Sequence, residues 1–192
     1  MWPWDHVAVA YVCYSLYVRF RGERPSALTA AVVVTAALAP DMIDKPLAWW
    51  FDVLPSGRSL GHSVFTALAV SIVAVAVERR VDVRGFASAV AIGLFSHLAG
   101  DVAYPLFVKG DLRVSFLLWP VISAGDSSTE NPFDHISELF VALIEFAATT
   151  QGTLYLIADG VLLLTALALW VADGAPGTGF LRAGTRKVLS RR

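Results

Sequence analysis

The sequence predicts an all-α, polytopic integral membrane bundle of about five transmembrane helices, with interfacial or re-entrant helices beside them. Three observations carry that reading. Of the 192 residues 56% are hydrophobic, only 16% are charged, and the mean hydropathy is +0.62, well above the norm for water-soluble domains. Apolar runs of spanning length recur along the chain. Trp2, Trp4, Trp49 and Trp50 flank the early runs, where an indole ring suits the headgroup boundary.

Taken in order, residues 6–18 and 26–40 are short crossings, apolar throughout. No basic stretch precedes the first and no small-residue cleavage pattern follows it, so it does not read as a removable signal peptide. The second is expected to end around Asp41 and Asp44, because Pro46 disfavours continuation of a helix. Residues 61–77, 85–107 and 153–172 approach the roughly 20 residues that span hydrocarbon. Between 108 and 152 the apolar stretches 114–122 and 136–149 are short, the latter carries Glu138 and Glu145, and the turn-rich 125–132 splits them. Re-entrant or interfacial helices fit that pattern. Residues 1–173 therefore form the membrane domain, and the Gly, Pro, Arg and Lys of 174–192 form a basic, solvated tail.

The net charge of −1 is unevenly spread and does not suggest nucleic acid as a partner; membrane lipid is the expected surroundings. Arg19, Arg21, Arg24, Arg79, Arg80, Arg84, Arg182, Arg186, Lys187, Arg191 and Arg192 fall on one side of the predicted crossings, whereas Lys45, Arg58, Lys109 and Arg113 fall on the other. The excess of basic residues marks the cytoplasmic side, which places the N-terminus outside and the C-terminus in the cytoplasm of a multi-pass cell-membrane protein. The single cysteine, Cys13, excludes an intramolecular disulfide.

Six side chains interrupt this apolar background: His6, Asp41, Asp44, His62, His97 and Asp101. At about 1.5 Å of rise per residue, His6 and His97 stand roughly 20 Å from the arginine-bearing helix ends, Asp41, His62 and Asp101 roughly 26 Å, and Asp44 about 30 Å. Imidazoles and carboxylates from four segments thus share one layer about 10 Å thick. In a low-dielectric medium such a gathering suits a bound divalent ion. His97 and Asp101, four apart, project from one helix face, and Asp41 and Asp44 stand three apart, a spacing at which two carboxylates can bridge a pair of ions. Ser59 is placed to cap the helix that His62 opens, Gly61 lets another backbone approach, and Arg58 is placed to hold a phosphate.

Pro40-Asp41-x-x-Asp44, Arg58-Ser59-x-x-His62-Ser63 and His97-x-x-x-Asp101, preceded by His6, resemble the pattern of the YdjM-like family of membrane-bound metal-dependent hydrolases, LexA-regulated in some bacteria. The resemblance covers roughly the first 110 residues. It implies a small helical membrane protein with a divalent-metal hydrolase site. Members often show His-Arg at the start of the middle motif, whereas Gly57 precedes Arg58 here, and His135 is the candidate substitute.

Plainer roles compete for several of these groups. His6 suits an interfacial first turn, Asp41 and Asp44 suit helix-end carboxylates paired with Lys45 or Arg58, and His97 with Asp101 suits a buried hydrogen-bonded pair. Asp159 reads either as a partner supporting a ligating histidine or as a local backbone acceptor; Asp134, His135 and Glu138 read first as acids and imidazole of a helix start and then as reserve ligands. Ser63, Ser96 and Ser115 have no paired base by spacing.

The expected chemistry is metal-assisted hydrolysis, with one or two divalent ions, zinc first and manganese or iron next, held by the three histidines and three aspartates. Asp44 is the expected proton acceptor and Arg58 the expected anion contact, for a phosphoester or lipid-linked substrate. Proton or metal-ion transport, and a purely structural cluster that staples helices, are the alternatives.

Overall fold

The computed structural model describes residues 1–123 and 132–179. The turn expected within 125–131 and the basic tail residues Arg182, Arg186, Lys187, Arg191 and Arg192 lie outside them. Among the described residues every regular element is helical: α1 (Pro3–Phe20), α2 (Ala27–Trp49), α3 (Val64–Val81), α4 (Phe86–Lys109), α5 (Pro132–Ala147) and α6 (Thr150–Ala172), with one 3-10 turn at Ser115–Leu118. Three stretches, Ala27–Trp49, Phe86–Val108 and Thr150–Ala172, are long and apolar enough to cross a membrane. On α6, Leu154, Leu164 and Val171 point outward at 63%, 67% and 59% exposure, apolar surface that lipid rather than water is suited to cover.

Local chemistry sets the helix ends. Ser26 and Thr29 cap α2 reciprocally, each hydroxyl accepting the other's backbone N–H at 3.1 and 3.0 Å. Glu78, near the end of α3, accepts the backbone N–H groups of Gly85 and Ala87 at 3.3 and 2.6 Å, so one carboxylate closes the α3–α4 turn and satisfies the start of α4. Ser63, not Ser59, caps α3, accepting from Phe65 N at 3.2 Å while donating to Trp119 O at 2.6 Å.

One expectation is corrected here. α2 does not stop near Asp44 but runs through Pro40 and Pro46 to Trp49. Each proline removes one backbone donor, a loss that membrane helices tolerate when neighbouring groups take up the carbonyls. The Ala37 carbonyl, beside the one that Pro40 leaves without its usual partner, accepts a hydrogen bond from His97.

Packing places α4 at the centre, against α1, α2 and α3, and α1 also joins α2 to α6. Small residues let these backbones approach: Ala10, Ala30, Ala37 and Ala89 share one buried cluster with Tyr11, Tyr14, Val18 and Val33, and Ala36, Ala67 and Ala74 share another with Val90, Leu94 and Leu98. At the far end of α1 from His6, Asp173 caps α6 and is held by Tyr11, Ser15 and Arg19, with contacts of 2.9, 2.7 and 2.6 Å. Those three α1 residues, four apart in sequence, line one face and fasten the last helix to the first.

The α2–α4 crossing is tightest at Gly93, where an added Cβ would sit 2.6 Å from Ala36 Cβ and 2.7 Å from the Val33 carbonyl. Gly93→Val is expected to destabilise the bundle by about 1–3 kcal/mol through overpacking. A lowered thermal midpoint in detergent micelles, relative to an Ile72→Val control on the exposed face of α3, checks this.

Candidate metal centre

The bundle brings all six interrupting side chains to one place. His6 comes from the first turns of α1, Asp41 and Asp44 from α2, His62 from the loop before α3, and His97 and Asp101 from α4. His62, His97 and Asp44 are 0% exposed, His6 1% and Asp101 2%. The ligand atoms of two overlapping groups, His6, Asp41 and His97, and His62, His97 and Asp101, lie within 4.8 Å of one another in each group.

The hydrogen bonds fix which nitrogens face inward. His97 Nδ1 lies 2.6 Å from the Ala37 carbonyl, which only accepts, so Nδ1 carries the proton and Nε2 a lone pair in the neutral ring. His62 Nδ1 lies 2.8 Å from Asp44 Oδ2, and the same reasoning leaves His62 Nε2 with a lone pair. These two Nε2 atoms then stand 3.0 Å apart, an arrangement that needs a positive centre between them, either a proton or a metal ion. Around them are further acceptors: Asp41 Oδ1 is 3.4 Å from His62 Nε2 and 3.9 Å from His97 Nε2, and Asp101 Oδ2 is 3.5 Å from His62 Nε2. The His6 ring stacks on His97 with centroids 3.8 Å apart, and neither of its buried nitrogens has a hydrogen-bond partner, although Nε2 approaches Asp101 Oδ1 at 3.3 Å. Ligating imidazoles characteristically give their other N–H to a carboxylate or carbonyl, as His62 and His97 do here, so the donor set fits a transition-metal ion.

Asp44, expected to take a proton from water, has its oxygens occupied. It accepts the backbone N–H groups of Ser59, Gly61 and His62 at 2.7, 2.7 and 3.2 Å as well as His62 Nδ1. Ser59, anticipated as a helix cap, belongs to this loop and donates to the Ser56 carbonyl at 2.8 Å. Gly61 packs against Pro40, where an added Cβ would come 2.8 Å from Pro40 Cα. The close approach of backbones read from Gly61 is therefore to α2.

Two basic side chains sit at the more exposed edge. Arg58 Nε donates to Asp101 Oδ2 at 2.7 Å, and Lys45 Nζ to Asp41 Oδ2 at 2.6 Å. Arg58 also lies over the ring of Phe116, 5.8 Å from its centroid, and Phe116 meets His62 edge-on at 6.1 Å. The 3-10 turn thus covers the centre with an apolar lid. Asp101 Oδ1 additionally accepts the Met1 amino group at 3.0 Å.

Other candidates fall elsewhere. Asp159 faces Asp5 on α1 rather than a histidine, and Glu138 is exposed. The side chains of Asp134 and His135 lie outside the described residues. Sequence reasoning passed over Asp5, which neighbours His6; the pairing of Asp41 with Lys45 that it offered is present.

A helical membrane bundle organised around buried histidines and aspartates is the class that this fold and site define. The chain belongs to the YdjM inner membrane protein family, whose model matches residues 1–175. No curated protein and no solved structure gives a match.

Burial opposes a charge on His62, but the Asp101, Asp41 and Asp44 carboxylates around it outweigh that and push its pKa up to about 10. Below that pH the imidazole keeps a proton that an incoming ion must displace. Metal uptake at neutral pH is therefore expected to release about one proton per ion, and affinity is expected to rise with pH up to the His62 value. Calorimetry in two buffers of different ionisation enthalpy measures the release.

Proposed function

We propose that the protein is a membrane-embedded, metal-dependent hydrolase whose centre holds one or two divalent ions, zinc first among them with manganese and iron as alternatives. The observation that carries the reading is the pair of His62 and His97 Nε2 atoms 3.0 Å apart, each ring oriented by an acceptor on its other nitrogen. His6, His62, His97, Asp41 and Asp101 are the ligands. Bound there, a divalent ion supplies the Lewis acidity that makes water nucleophilic near neutral pH. Asp44 orients His62 and the loop, and Asp41, at 11% side-chain exposure the least buried carboxylate of the cluster, presents Oδ1 to the ion while its Oδ2 accepts from Lys45. Arg58 uses Nε on Asp101 and leaves its terminal nitrogens for an anionic oxygen, which favours a phosphoester, lipid-linked or otherwise lipid-like substrate.

In the same proposal α1 and α3 cross the membrane together with the three longer helices, and the N-terminus faces outward with the C-terminus in the cytoplasm. The centre then lies near the outer headgroup boundary. Alkaline phosphatase fused after residue 179 is expected to be inactive and fused at residue 123 active; the reverse result would invert the topology.

Elemental analysis of protein purified gently and without chelator is expected to find retained zinc, manganese or iron in the wild type and at most traces in His62→Ala and Asp101→Ala. Asp44→Asn is expected to weaken metal binding about 10- to 100-fold, the usual cost of losing a partner that orients a ligand. Metal-free wild type would defeat the site, and metal flux into proteoliposomes without retained metal would favour transport instead.

A further inference from the structure

An open groove flanks the centre, and its lining is almost entirely apolar. Phe95, Leu98, Val102 and Leu106 recur at helical spacing along one side of α4, and Val64 at the start of α3 and Leu117 of the 3-10 turn complete the lining. The walls adjoin the centre in the chain: Leu98 follows His97, Val64 lies two residues beyond His62, and Leu117 follows Phe116, whose ring meets His62 edge-on. Arg58 lies over that same ring with its side chain 39% exposed. Its Nε is engaged by Asp101, which leaves the terminal nitrogens for an anion.

Hydrocarbon suits this groove better than water does, because almost no polar atom is present to hold an ordered water. Its α4 wall belongs to a stretch, Phe86–Val108, that is long and apolar enough to cross a membrane. The volume is about 400 Å³. Eleven steps of about 1.5 Å separate Phe95 from Leu106, so the mean cross-section is roughly 25 Å², about a third or less of that of a helix 10–12 Å in diameter. A single polymethylene chain fits that section, and a helix from a second copy does not. We propose, on the hydrolase reading of the centre, that the groove holds one acyl chain of the substrate, so that the centre acts on a phosphate-bearing membrane lipid with its phosphate on Arg58 and its chain against α4. The apolar walls supply binding along the chain, and Arg58 selects the charged end.

A phosphatidic acid with a photoactivatable diazirine on one acyl chain, added to full-length protein purified without chelator in detergent micelles, tests this without requiring turnover. Crosslinks are expected to concentrate on residues 95–106 and Leu117. Ala99→Phe, which places a ring in the groove from an exposed lining position, is expected to cut them at least about tenfold with zinc content unchanged, whereas Ile72→Phe on the exposed face of α3 leaves them as in wild type. A diacylglycerol carrying the same chain is expected to crosslink about tenfold less, and Arg58→Gln to remove that difference. Crosslinks that spread evenly over the lipid-facing helices, persist in Ala99→Phe, or are equal for the two lipids in wild type overturn the proposal, while retained zinc leaves the hydrolase reading standing. Groove crosslinks in a wild type that retains no metal defeat the hydrolase reading and, with it, the assignment of the chain to a substrate.

Discussion

One fully buried carboxylate, that of Asp44, organises the end of this bundle that carries the candidate centre. The loop that brings Arg58, Ser59 and His62 inward has no helix or strand of its own to satisfy its amides. Asp44 supplies three of those acceptors and orients the His62 ring with a fourth contact. A buried amide without a partner costs about 1–3 kcal/mol, so three together outweigh any plausible gain from leaving this loop unanchored. The ionised side chain is tolerated without solvent because four N–H groups replace its hydration. His62 and Arg58 therefore depend on a residue that neither holds the ion nor meets a substrate in the proposed chemistry.

The two ends of the bundle are tied by different means. At the centre, convergent acceptors from four segments need a proton or a metal ion between them to be compatible. At the other end Asp173 already has its counter-charge in Arg19, with Tyr11 and Ser15 completing its contacts. Between these ends the helices meet through alanines and Gly93, which bring α2 and α4 into backbone contact. Close packing of this kind leaves little freedom to shift one helix against another, and it holds His97 on α4 within reach of the Ala37 carbonyl on α2.

The helical class and the convergence of six polar residues were legible in the sequence, because depth along a helix follows from residue count. Direction was not. Equal heights gave no sign that Asp44 turns toward the loop while Asp41 turns toward the imidazoles. The prolines at 40 and 46 read as a helix end because in water the lost hydrogen bonds usually end a helix; in α2 they are carried through to Trp49. Tyr11, Ser15 and Arg19 did leave a signal, a polar row at four-residue spacing on an apolar helix, but Asp173, the last residue of the predicted membrane domain, carried no mark of being their partner. Asp5 was hidden by its position, since an acid in a first helical turn ordinarily serves the helix dipole.

Lys45 and Arg58 each neutralise one carboxylate of the centre, and Asp44 remains as the third acid. Below pH about 10 the His62 imidazolium offsets Asp44, so these side chains carry no net formal charge before an ion enters, and a divalent ion that displaces that proton leaves them one positive charge in excess. A pocket that turns positive on loading attracts anions only once the ion is in place, so the order of encounter is written into its electrostatics.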